Sequence, residues 1–196
     1  MHQFGDQDPM STAFFFGYGS LVNRLTHGFD PAHPARARGW RRAWRYTADR
    51  EVAYLTAIPD AGCEIEGLIA PVPDDGWAAL DQREHAYDRR DARDWVQHEA
   101  GGVEQLALYA IAPERMRDPD GTHPVLLSYL DVVVQGYLSE FGEAGADRFF
   151  ETTSGWEAPI LDDRATPRYP RAQKLKAGER AYVDDWLRRL DCRVAA

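Results

Sequence analysis

Two stretches of this 196-residue chain carry residue types and spacings that can do chemistry. The first is Gly17-Tyr18-Gly19-Ser20-Leu21, which follows the apolar run Ala13-Phe14-Phe15-Phe16. Two glycines and a serine at a strand end make a tight turn whose backbone N–H groups can meet an anion or a carbonyl oxygen. A purely structural turn would read the same way. The turn is not a P-loop, because no Gly-Lys-Ser/Thr follows, and it lacks the third glycine of a dinucleotide fingerprint. Ser20 lies in no Gly-x-Ser-x-Gly elbow. The second stretch is Leu80-Asp81-Gln82-Arg83-Glu84-His85. On a helix, Trp77, Leu80, Glu84 and Tyr87 fall at i, i+3, i+7 and i+10 and share one face. A carboxylate then stands where the pattern calls for an apolar residue. Withdrawal from water favours its neutral form and raises its pKa, which suits a group that takes and returns a proton near neutrality. The alternative is a helix-end glutamate paired with Arg83 or Arg89 at the surface.

Other charged stretches read more plainly. The run 83–94 balances four arginines against four acids, as a solvated face does, with Tyr87 on its apolar side. Arg36, Arg38, Arg41, Arg42 and Arg45 interleave with Trp40, Trp44 and Tyr46. Strand alternation, with aromatics inward and arginines outward for part of the stretch, explains this more simply than a single-stranded nucleic-acid platform. Asp162-Asp163-Arg164 to Pro167-Arg168-Tyr169-Pro170-Arg171 is a Pro-pinned loop. It can hold a substrate carboxylate or tie itself down through Asp–Arg pairs. The six histidines show no HExxH or i, i+4 pair, and Cys63 and Cys192 have no motif context, so no metal or thiol nucleophile is expected.

The elements that must position these groups follow from pattern. Residues 13–17 read as a buried strand, 36–49 and 51–58 as two strands about a turn at 48–50, and 65–72 as another strand closed by Pro71 and Pro73. Asp74 can cap a helix running to about Tyr87. Residues 94–99 and 104–112 suggest a hairpin across Gly101-Gly102. Pro124 can open a helix over 125–141 with the stripe Leu126, Leu130, Val133, Tyr137 and Phe141. Residues 147–152 suggest a short helix, 154–176 irregular chain, and 177–190 a final helix. Strands first and helices later indicate α+β with a mostly antiparallel sheet or small barrel. Residues 1–12 read as a loose tail and 13–196 as a single domain.

Composition narrows the class. The apolar share is 44%, enough for a core, and 23 Lys+Arg against 32 Asp+Glu give a net charge of −9. That balance argues against nucleic acid or an anionic membrane as partner. No apolar run reaches membrane-spanning length, and the first residues lack the pattern of a secretory signal, so a cytoplasmic protein is expected.

In this order, Phe16-Gly17-Tyr18-Gly19-Ser20-Leu21 and Leu80-Asp81-Gln82-Arg83-Glu84 resemble the γ-glutamylcyclotransferase family with its AIG2-like relatives. There a Tyr-Gly-Ser loop follows the first strand and a Glu ends a helix after the central strands. Glu66-Gly67-Leu68-Ile69, the hairpin after the Glu, and the segment 124–136 with Tyr129 and Leu130 are also similar. The resemblance covers about residues 14–141, and 142–196 looks like an extension found in some bacterial members. It implies an α+β fold, a small mixed, mostly antiparallel β-barrel flanked by helices, with no cofactor and no metal. It further implies intramolecular attack of a γ-glutamyl α-amine on its own γ-carbonyl, giving 5-oxoproline and a free amine or amino acid. Carried over, Glu84 is the general acid/base. The N–H groups of Gly19, Ser20 and Leu21 hold substrate oxygens with help from Tyr18 or Ser20, and Tyr87 and Tyr129 contact the substrate. Apart from the resemblance, the loop over 154–171 is expected to pack beside the site, with Arg168 or Arg171 binding the anionic part of the substrate. His85 stands where many relatives have Gly and can narrow the pocket. The alternatives are a tailoring or repair enzyme that trims a γ-glutamyl cap from a dedicated metabolite, and a non-catalytic binding module of the same fold.

Overall fold

The structure is a computed structural model and describes residues 12–72 and 76–195. The expected tail (apart from residue 12) and the expected closure and cap at Pro73 and Asp74 lie outside the described residues. The apolar run forms β1 (Ala13–Gly17), followed by β2 (His33–Arg45) and β3 (Tyr54–Pro71). The two strands expected over 51–58 and 65–72 are one continuous 18-residue strand. β2 pairs antiparallel along its length, from His33 opposite Ile69 to Arg45 opposite Tyr54, so the polar middle of β3 is held by register. A bulge between Arg38 and Trp40 bends this ribbon, with Gly39 supplying a φ of 76°.

Helix α1 (Trp77–Arg83) is shorter than the pattern predicts, because the chain turns to enter β4 (Asp88–Asp91). β5 (Val96–His98) and β6 (Gln105–Ala110) do not form the expected hairpin. β5 pairs with β2 at Ala35–Ala37, whereas β6 lies between β1, to which it is parallel, and β4. The uninterrupted apolar sequence of β6 suits a central strand, and the charged β4 suits an edge exposed to water. The sheet order is β4-β6-β1-β3-β2-β5. The architecture is mixed α+β and mostly antiparallel, but β4 and β5 do not meet, so the sheet does not close into the expected barrel.

Pro124 does not start the next helix. Val125–Leu126 form a short strand, β7, and α2 (Leu127–Glu151) follows. Gly142, at φ 66° and ψ −171°, breaks α2 into two segments, matching the expected helix to Phe141 and the shorter one after it. β8 (Thr153–Ser154) adds to β2, and β9 (Ile160–Leu161) pairs with both β7 and the terminal β10 (Val194–Ala195). Between them α3 (Ala177–Arg189) buries Val183 and Leu187. Successive residues of β1 feed two cores. Phe15 packs with Trp44, Leu130, Val133 and Tyr137 under the helices, while Phe14 and Phe16 join Trp40, Ile65 and Leu108. The second cluster contains no helix residue, so the sheet must curve around it. No described helix is long and apolar enough to cross a membrane.

Candidate active site

β1 delivers the chain into one 3-10 turn, Ser20–Val22, and the two glycines before it are required by close approach. A Cβ on Gly17 would stand 2.5 Å from the Leu21 Cβ, and one on Gly19 would stand 2.7 Å from the Tyr129 hydroxyl. Gly19→Ala should therefore displace Tyr129 and lower catalytic efficiency. Tyr129→Phe, which removes the obstructing oxygen, should make the alanine far less harmful, so a double-mutant cycle should show strong coupling. Additive losses would show that the two residues do not share this contact.

The loop is pinned from behind. The Tyr18 carbonyl accepts from Arg42 Nε at 3.2 Å and lies 2.9 Å from the Tyr137 hydroxyl. Arg42 also donates to the Glu66 carbonyl (2.6 Å), the Tyr137 hydroxyl (2.6 Å) and Thr152 Oγ1 (2.7 Å). Its guanidinium lies over the Tyr137 and Phe149 rings and is 1% exposed. Arg42 thus lies outside the part of β2 whose arginines face outward, because α2 covers it. The Tyr18 side chain is also engaged, donating to the Tyr109 carbonyl and accepting from the Ala57 N–H at 3.0 Å. Its one hydroxyl proton is thus spent within the protein.

Glu84 is the residue that caps the C-terminal end of α1, with its N–H bonded to the Leu80 carbonyl. Tyr87 reaches the same region through the turn closed by its N–H to the Glu84 carbonyl, not along a helix face. The Glu84 carboxylate accepts from Arg83 Nε at 3.1 Å, and the two side chains are 17% and 11% exposed. The surface alternative is thus half realised: Glu84 is a helix-end glutamate paired with Arg83, but the pair is largely withdrawn from water. Burial pushes the Glu84 carboxyl above the usual range, against the opposing pull of Arg83 and Arg171. Burial also lowers the Arg83 pKa and raises the Tyr87 and Tyr129 phenols.

These groups line two adjoining spaces. A small inner chamber of about 30 Å³ has walls from the Tyr18–Leu21 loop, Glu84, Tyr87, Tyr109 and Tyr129. Ser20, Glu84, Tyr87 and Tyr129 are shared with an outer chamber of about 350 Å³ that also has Arg50, Arg83, His85, Arg168, Tyr169 and Arg171 on its wall. His85 is exposed on that outer wall and does not narrow the inner chamber. The arm bearing the last three residues is tied down by the buried Asp163. Its carboxylate accepts from the Ser128 N–H (2.7 Å), the Ser128 hydroxyl (2.6 Å) and the Arg168 N–H (2.8 Å). The Tyr169 ring meets Tyr129 edge-on at 5.0 Å.

Residues 15–125, more than half of the chain, match the family model described as gamma-glutamyl cyclotransferase, AIG2-like. The chain belongs to the γ-glutamylcyclotransferase, AIG2-like family. Its fold is similar to a solved structure described as a gamma-glutamyl cyclotransferase, with TM-score 0.53 at 11% identity over 88% of this chain and 98% of the other. An uncharacterized protein from Homo sapiens gives TM-score 0.54 at 12% identity over 88% and 98%. YkqA from Bacillus subtilis gives 0.51 at 18% over 73% and 56%. No curated protein matches the sequence.

Within the γ-glutamylcyclotransferase match fall the Tyr18–Leu21 loop, Glu84 and Tyr87, whereas Tyr129, Arg168 and Arg171 come from beyond it. The structure brings all of these candidates to the two chambers. Sequence reasoning missed Arg42 and Tyr137 behind the loop, the Asp163–Ser128 tie, and Arg50 and Tyr109 in the walls. An arginine inside an apolar strand–helix contact leaves no periodic signal distinguishing it from its exposed neighbours. Asp163 was visible only as one acid among Asp–Arg pairs.

Proposed function

We propose that this protein cyclises a γ-glutamyl compound to 5-oxoproline, with Glu84 as the proton carrier. The supporting observation is that one largely enclosed carboxylate of raised pKa and the Gly19–Leu21 stretch wall a single chamber. The substrate's α-amine attacks its own γ-carbonyl carbon, forming the ring C–N bond. Glu84 takes a proton from the attacking nitrogen, and the loop N–H groups receive the charge that develops on the carbonyl oxygen. The tetrahedral centre then collapses, the original γ C–N bond breaks, and Glu84 returns the proton to the departing nitrogen. Nucleophile and electrophile belong to one molecule, so the protein need only fold the substrate into an attacking conformation and move one proton. Tyr87 and Tyr129, held as neutral phenols, shape the wall and keep the carboxylate away from bulk water.

The direct test is release of 5-oxoproline from γ-glutamyl dipeptides and amines; a folded protein that releases none from any of them rejects the reading. A pH profile adds a sharper one. The base must be ionised, so kcat/KM should rise with pH through the Glu84 pKa. Because burial raises that pKa, the acid limb should lie above the range of an ordinary glutamate. Arg83→Met removes a cation that holds it down and should move the limb to higher pH still. A limb at the ordinary position, or one unmoved in Arg83→Met, would exclude Glu84 as the group responsible.

A further inference from the structure

We propose that the outer chamber selects γ-glutamyl compounds whose released part is itself acidic, carrying two negative charges. The inference rests on the cyclisation reading and names the substrate class for the same site. Among the described residues, four arginines, Arg50, Arg83, Arg168 and Arg171, line this chamber, and Glu84 is the one acid among its walls. Arg83 is engaged by Glu84. Arg171 is half-buried and acts on Glu84 through space. Among the described residues the carboxylates paired with Arg50 and Arg168 are Asp49 and Glu51, at 3.6 and 3.5 Å, and these are 72% and 91% exposed; the Arg50 guanidinium also lies 5.6 Å from the centre of the Tyr54 ring. Pairs so open to water hold their cations weakly and yield to a better-placed anion.

The substrate's own charges set the remaining demand. A γ-glutamyl group brings the reacting α-amine, which attacks as the neutral amine, and one α-carboxylate, and the carboxylate needs one cation. The inner chamber, with the loop and Glu84, receives the reacting carbonyl, so the released part extends into the larger space beside the arm. Two arginines remain there for it. A neutral amine would leave both without a ligand partner, and a cationic one would be repelled. A dicarboxylic amino acid, or a peptide beginning with one, meets both through charge-assisted hydrogen bonds. The local charge is opposite in sign to the whole chain, whose net value is −9, so the cations are concentrated where a ligand would enter.

The closing experiment compares γ-glutamyl-glutamate with γ-glutamyl-glutamine, which differ by one charge at equal size. At low salt kcat/KM should favour the glutamate by about tenfold or more, the effect of one charge-assisted contact. In the Arg50→Ala/Arg168→Ala double variant the ratio should collapse toward one. Should that variant not fold, the wild-type ratio alone decides, since it should shrink as NaCl rises from about 0.05 to 0.5 M through screening. Equal turnover of the two substrates, a preference for glutamine, or a ratio insensitive to both salt and the variant would overturn the proposal. Calorimetric binding of the same pair separates the two readings. Preferential binding of the glutamate without turnover keeps the charge selection and rejects the cyclisation. Turnover without preference does the reverse.

Discussion

Glu84→Gln should fold as the parent does and lose about 10²–10⁴-fold in kcat, the range expected on removing an acid–base group. The substitution is close to isosteric, and the amide oxygen can still accept from Arg83 Nε, which lies 3.1 Å from the carboxylate now. What the amide cannot do is carry a proton between the attacking and departing nitrogens. KM should move little, because the proposed substrate contacts belong to the loop, the tyrosines and the arm. Thermal unfolding at the parent's temperature would establish that the loss is chemical. A folded Glu84→Gln protein with full turnover would remove Glu84 from the mechanism.

The second large effect is expected at Arg42, which touches no substrate-facing surface of either chamber. Arg42→Met should destabilise the protein by about 3 kcal/mol. An unmade buried hydrogen bond costs about 1–3 kcal/mol, and imperfect filling of the space adds to it. Two carbonyls are at stake, those of Tyr18 and Glu66, and the Tyr137 hydroxyl can donate its one proton to only one of them. The cation has no carboxylate within salt-bridge distance among the described residues; carbonyls, hydroxyls and two aromatic faces hold it. Activity should fall as well, because the Tyr18 carbonyl fixes the turn that presents the Gly19–Leu21 N–H groups. Arg42→Lys keeps the charge but not the fork and should be intermediate in both. Denaturant midpoints and kcat measured side by side would check this; a variant matching the parent in both would reduce Arg42 to a filler.

How much of this was legible depended on whether the deciding interaction was local. β1, its turn and α3 are set by short-range patterns, and the sequence places them within a residue or two. The break at Gly142 was also visible, as the gap between two helical stretches. The missed hairpin was a different matter. Either β5 or β4 could neighbour β6, and the choice turned on β2 and β1, strands far away in sequence. The length of β3 escaped notice because its middle, around Asp60-Ala61-Gly62, carries turn-forming residues that pairing with β2 overrides. At the site, Glu84 was found through a helical spacing that is only partly real. α1 ends at Arg83, and Tyr87 arrives by a turn. Both geometries bring Glu84 and Tyr87 to the same wall. Arg42 could not be found at all, since its burial is decided by rings more than 90 residues away.

The tie between Asp163 and Ser128 has a bearing on how this protein can diverge. The loop and Glu84 lie inside the family match, while the arm that supplies Arg168, Tyr169 and Arg171 lies outside it and is anchored by Asp163 on Ser128 and by Arg164 on Asp131 and Asp184. Replacements in the arm can reshape the entrance without disturbing the strands that hold the reacting groups. On the proposed reading, selectivity and chemistry are inherited on separable stretches of chain, and a lineage can exchange one while keeping the other.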